Sequence, residues 1–229
     1  MKFGIAMGRL HVGFYEQILI EADRLGFESV WMAEHLVLPV EMAGSPFAGA
    51  DHPPLAPDSK VLDCFSYLSY LAGRTSRVRL GTHVYLLGLR HPFVSARAVA
   101  TLDHVSGGRA EIGIGVGWLE SEWTAAGFDP RTRGRRTDEI IDAVRLLLTT
   151  PNASYDGRYY KFRDVTIDPR PAKVPDIWVS GGSRLPDPGE HDVPVIAKTV
   201  KDRIVKAGHW LSRCSGTQAW AKNTISVGG

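Results

Sequence analysis

Four short segments carry residues whose chemistry is out of place in a buried strand: Glu34-His35, Thr82-His83-Val84, Gly117-Trp118 and Gly181-Gly182-Ser183. Three of them close an apolar run, where a strand would hand the chain to a loop, and Thr82-His83-Val84 interrupts one. His35 is the candidate catalytic residue. A histidine has an unperturbed pKa of about 6.5, which suits general acid/base work near neutrality. Its bland alternative is structural hydrogen bonding. Neighbouring residues on a strand point to opposite faces, so one of Glu34 and His35 can face a cavity while the other packs inward. Gly117-Trp118 and Gly181-Gly182-Ser183 are glycine-rich endings. Glu34, Thr82, His83, Val84, Gly117, Trp118, Gly181, Gly182 and Ser183 are thus the candidate ligand-binding set.

Other histidines (His11, His52, His91, His104, His191, His209) have no convergent spacing and read as surface or loop residues. No H-x-x-x-H pair or carboxylate cluster argues for a metal. Cys64 and Cys214 lack ligand spacing and read as indifferent thiols. Arg131, Arg133, Arg135 and Arg136 read as a solvated helix start with Asp138 and Glu139 as local partners.

The elements that must position these residues alternate between strand and helix. Apolar runs at 2–8, 29–33, 78–87, 109–117, 176–180 and 207–212 read as strands. Phe14, Ile18, Ala22 and Leu25 lie at helical spacing and stop at Gly26; Leu62, Phe65, Leu68 and Leu71 stop at Gly73. Pro92 opens a helix to about Ser106, and Ile140, Val144, Leu147 and Leu148 mark another. Tyr155 to Tyr159 reads as a hairpin turn. The proline-rich stretch from Leu36 to Lys60 is long for a structureless connection and reads as a lid or binding loop. Strands separated by helices imply a parallel sheet. Continuous apolar runs imply strands buried on both faces.

A dinucleotide-binding open sheet needs G-x-G-x-x-G after the first strand, and Gly8-Arg9-Leu10-His11-Val12-Gly13 does not supply it. Gly113, Gly115 and Gly117 alternate within the fourth run, which leaves one face of backbone bare. That face can allow close packing in a barrel or close approach of a cofactor. In a barrel, active-site residues come from the C-terminal strand ends. The four segments above obey that rule.

Composition bounds the rest. The 229 residues are 44% hydrophobic and 23% charged, which suits one large globular domain. The net charge is +2, too small and diffuse for a nucleic-acid surface. No apolar stretch is long enough to span a membrane, and the N-terminus has no signal-peptide pattern. A cytoplasmic protein is expected.

Taken in order, Val30-Trp31-Met32-Ala33-Glu34-His35, Arg79-Leu80-Gly81-Thr82-His83-Val84, Leu102 to Arg109, Gly113 to Trp118 with Glu122, Tyr155 to Phe162 and Ile177 to Gly182 resemble the luciferase-like monooxygenase superfamily. The resemblance covers about residues 1–215; 216–229 form an atypical tail. Gly117-Trp118-Leu119 and Gly134 to Glu139 are most similar to the branch that uses coenzyme F420, a deazaflavin. The resemblance implies a TIM-type (β/α)8 barrel, incomplete at the C-terminus with about six of eight strands. It implies a non-prolyl cis peptide at His83–Val84 backing the cofactor ring. It also implies a coenzyme F420-dependent oxidoreductase passing a hydride to or from a small organic substrate, and a homodimer or other self-association. The alternatives are an FMN-dependent monooxygenase of the same superfamily and a truncated, non-catalytic cofactor-binding or interaction protein. The resemblance also gives the arginine cluster a second reading, a grip on the acidic tail of a deazaflavin.

Overall fold

The computed structural model describes residues 2–8, 10–45, 55–181 and 196–211. In chain order the elements are β1 (Gly4–Ala6), α1 (Tyr15–Leu25), β2 (Ser29–Met32), α2 (Cys64–Ala72), β3 (Arg79–Thr82), α3 (Pro92–Ser106) and β4 (Ala110–Ile114). They continue with α4 (Glu120–Ala125), α5 (Arg133–Thr149), β5 (Ala153–Asp156), β6 (Lys161–Val165), β7 (Ile177–Ser180), α6 (Lys198–Ala207) and β8 (Gly208–Leu211). The main sheet runs β1-β2-β3-β4-β7-β8, every neighbour parallel. All its C-terminal strand ends therefore lie along one rim. β5 and β6 form the expected antiparallel hairpin on the way from α5 to β7.

Local sequence explains the element ends. Gly26 and Gly107 close α1 and α3 in the left-handed region at φ 80° and 67°, where a glycine has no Cβ to strain. Asp63 caps α2 by accepting the Ser66 N–H at 2.8 Å. Pro92 sits at the first turn of α3, where a missing N–H is not needed. Asp23 accepts backbone N–H groups from Ser76, Arg77 and Val78, which ties the entry to β3 against the end of α1.

One face of the sheet packs under the helices. Val30, Leu80, Ile112, Ile114, Ile177 and Val179 are buried there with Leu19, Leu68, Val99 and Val144. The other face is concave. β2 and β7 are three strand spacings apart, which in a flat sheet is about 14 Å. Yet the Trp31 and Trp178 rings meet edge to face at 5.6 Å. The two indoles lean towards each other across β3 and β4. Beside them, the buried Glu111 is satisfied by Arg79 Nε and by the Trp178 Nε1–H at 2.7 Å. Trp31 lies over the bare backbone of Gly81.

Close strand packing decides the glycine question for two of three positions. A Cβ on Gly113 would collide with the Thr82 carbonyl oxygen, and one on Gly115 would sit 2.6 Å from Val84 Cγ2. Gly113→Ala is expected to cost about 1–3 kcal/mol, because the obstacle is backbone and cannot rotate away. Denaturant unfolding measures it, and an unchanged midpoint would show that β3 and β4 can move apart at no cost.

Two expected boundaries are corrected. The fourth strand ends at Ile114 rather than Gly117, which instead turns at φ 74°. The third strand ends at Thr82, not at residue 87. There the chain leaves the ladder through a cis His83–Val84 peptide, as the family resemblance implied, and rejoins it where Tyr85 bridges Ile114.

Candidate active site

The segments that follow β2, β3 and β4 meet at the rim. His35, just past β2, directs Nδ1 at Glu122 Oε2, 2.9 Å away. Glu122 comes from the first turn of α4, 87 residues on in sequence, and its side chain is 1% exposed. Its other oxygen accepts the backbone N–H groups of Leu36 at 2.6 Å and Val37 at 3.4 Å. Trp118 stands edge-on to the imidazole with ring centroids 6.0 Å apart. One ring thus joins the ends of two strands.

Glu34 has different partners, although it lines the same cavity as His35. Its Oε1 accepts the Leu86 N–H at 2.8 Å and its Oε2 pairs with Arg90 Nη2 at 2.6 Å. Arg90 also lies over the Tyr85 ring, 4.4 Å from its centroid. Burial pushes the Glu34 carboxyl above its ordinary range, with Arg90 and the Leu86 N–H opposing that rise. Burial likewise pushes the Cys64 thiol up, so that cysteine is no nucleophile. Both Glu34 oxygens are occupied by the loop that leaves β3. These bonds tie the end of β2 to that loop.

Thr82 is fully buried and donates its hydroxyl to the Gly113 carbonyl at 2.8 Å. His83 donates its N–H to the Met32 carbonyl at 2.6 Å, holding the bulge to β2. Val84 packs on a small cluster of Leu86, Leu89 and Trp123. Gly117 turns beside Trp123, whose buried indole N–H has no partner among the described residues. Gly181 ends β7 at φ 123° and accepts the Trp210 Nε1–H at 3.3 Å. It shares the rim, but no contact joins it to His35. Gly182 and Ser183 lie outside the described residues.

A cavity of about 800 Å³ opens beside His35. Its wall is mixed: Leu10, Val12, Met32 and Leu62 are apolar, and His11, Tyr15, Glu34, Ser59 and Lys60 are polar members. The bulge and the Gly117-Trp118 turn do not line it. His35 therefore stands between the cavity on one side and that turn on the other. Among the described residues no cluster of His, Cys, Asp or Glu could hold a metal ion, and no helix is long and apolar enough to cross a membrane.

Glu122 and Arg90 are the residues that sequence reasoning missed as site components. The arginine cluster is also corrected. Arg131 pairs with Asp129 and Arg133 with Glu120, while Arg136 is stacked 4.5 Å from the rings of both Phe128 and Tyr159. Asp138 instead pairs with Arg203, and Glu139 accepts three backbone N–H groups of the hairpin turn, from Arg158, Tyr159 and Tyr160.

With this geometry in place, comparison with known proteins gives a definite answer. The family model for luciferase-like monooxygenases matches residues 14–186. The chain belongs to the luciferase-like monooxygenase family. It is 33% identical over 167 residues to an F420-dependent glucose-6-phosphate dehydrogenase of Kineococcus radiotolerans, covering 71% of this chain and 45% of that protein. It is 35% identical over 153 residues to 4-hydroxyprotoasukamycin monooxygenase of Streptomyces nodosus subsp. asukaensis, covering 66% of this chain and 36% of that one. The chain spans about half the length, or less, of the curated relatives it matches. Among solved structures, the oxygenating constituent of 3,6-diketocamphane monooxygenase from Pseudomonas putida, in complex with FMN, superposes with a TM-score of 0.71. It covers 96% of this chain and 59% of its own at 16% identity, so it speaks for the fold alone. The six described parallel strands of this luciferase-like chain thus form an incomplete α/β barrel.

Proposed function

We propose that this luciferase-like chain is an oxidoreductase that holds coenzyme F420 at the strand-end rim and exchanges a hydride with a small organic substrate. The observation that carries the reading is His35, fixed by a buried carboxylate at the edge of the cavity. The cavity's volume of about 800 Å³ lies within the range of small-molecule sites. The residues present fit a planar redox ring. The bulge at His83–Val84, the Gly117-Trp118 turn and Gly181 offer backbone and one indole along the rim with few side chains in the way. When bound, the deazaflavin supplies the two-electron step.

The chain's own part is to place the substrate and move a proton. When a carbinol is oxidised, its carbon-bound hydrogen leaves as hydride and its O–H proton needs an acceptor. The His35 ring nitrogen turned away from Glu122 is suited to take it, and to return it in the reducing direction.

The second reading, a monooxygenase using reduced FMN, draws on the likeness to 4-hydroxyprotoasukamycin monooxygenase and to the FMN-bound monooxygenase constituent. Titrating the protein separately with oxidised F420 and oxidised FMN, and following cofactor fluorescence, ranks the two. Tighter binding of F420 is expected. Tighter FMN binding would move the chain to the second reading, and binding of neither would overturn both.

A further inference from the structure

We infer that Glu122 is a positioning residue that sets the tautomer of His35, making Nε2 the ring's proton acceptor. This rests on the reading of His35 as the proton-transfer group, but its decisive test does not need a loaded enzyme. The geometry is a three-donor problem around one buried carboxylate. Oε1 takes the Leu36 and Val37 N–H groups, and Oε2 faces His35 Nδ1 at 2.9 Å. A carboxylate can only accept hydrogen bonds, so Nδ1 must be the ring nitrogen that carries hydrogen. In the neutral ring, Nε2 is then the acceptor. Among the described residues Nε2 has no partner, while the ring itself lines the cavity. The same carboxylate pins the first two residues of the chain beyond His35, so orientation of the ring and the start of that loop are set together.

Glu122→Gln turns this into a directional test. The two backbone N–H groups need an acceptor, so the glutamine's carbonyl oxygen stays with Leu36 and Val37. Its NH2 group then faces Nδ1, which has to accept, and hydrogen moves to Nε2. The nitrogen that serves the cavity becomes a donor and can no longer take a proton. The side-chain shape is unchanged.

The measurement is ¹⁵N NMR of histidine-labelled protein, without cofactor, on the neutral His35 ring. The wild type is expected to show an N–H at Nδ1, and the glutamine variant an N–H at Nε2. With cofactor and substrate, the variant is expected to lose kcat by on the order of a hundredfold or more, as a wrong-tautomer histidine does elsewhere, with cofactor affinity unchanged. Hydrogen on Nε2 in the wild type would overturn the assignment, as would an unaltered tautomer in the variant. If the variant does not fold, the wild-type spectrum alone decides. Because the tautomer is read on the free protein, a wrong choice of cofactor cannot be mistaken for failure of this assignment.

Discussion

His35→Ala is expected to lower turnover by about 100- to 10,000-fold, the range over which a positioned acid/base contributes. Cofactor affinity should stay within a few-fold of wild type. The two halves of that result come from different parts of the rim. The imidazole is held by Glu122 and Trp118 and lines the cavity. The bulge is held independently by the His83 N–H to Met32 bond and by Glu34. Removing the ring leaves those bonds standing, so the surface offered to a planar cofactor survives. The loss should fall on kcat rather than on KM, because a proton in transit is stabilised only in the transition state. Steady-state kinetics beside the fluorescence titration separates the effects. Unchanged turnover would return His35 to a purely structural role, and joint loss of turnover and cofactor binding would mean that the ring is part of the cofactor's seat.

Much of this was legible in the sequence, for a physical reason. Parallel strands covered by helices are continuous apolar runs, and glycine or proline must break them. The order of strands and helices therefore shows, as do the ends near Glu34-His35 and Gly181. The end of β3 did not show. Val78 to Leu87 is one long apolar run, and nothing in it marks Thr82 as the last ladder residue. The exit is made by backbone geometry at His83–Val84 and by Tyr85 rejoining Ile114, and neither has a composition signal.

Partners were harder still. The pairs Glu122 with His35 and Arg90 with Glu34 are 87 and 56 residues apart, so no local spacing rule finds them. Local rules also misled. Arg135 stands three and four residues before Asp138 and Glu139, the spacing at which helix neighbours pair. Tertiary partners outcompeted it: Asp138 meets a nearly buried Arg203, and Glu139 meets three otherwise unpaired backbone donors. A carboxylate gains more from a buried partner than from an exposed one, since water screens the latter.

That contrast makes Arg90→Met the most damaging stability change expected here, at about 3–5 kcal/mol by denaturant unfolding. Glu34 and Arg90 have side chains only 1% and 10% exposed. Removing the guanidinium leaves a buried carboxylate with one remaining donor, the Leu86 N–H. The pH dependence follows from the direction of the Glu34 shift. Burial already raises its pKa, and Arg90 is among the groups that lower it. Without Arg90 the folded-state pKa rises further. A carboxyl whose folded pKa lies above its unfolded value contributes stability that is present at low pH and lost as pH climbs through the folded value. The deficit of the variant should therefore grow from the ordinary carboxylate range towards neutrality and shrink in acid. Combining it with Glu34→Gln should recover part of the loss, because no charge is then left stranded. A deficit equal at acidic and neutral pH, or a double variant no more stable than Arg90→Met, would show that Arg90 acts through its stacking on Tyr85 and not through charge. In that case the bulge would owe its place to packing, and the electrostatic account of Glu34 would fall with it.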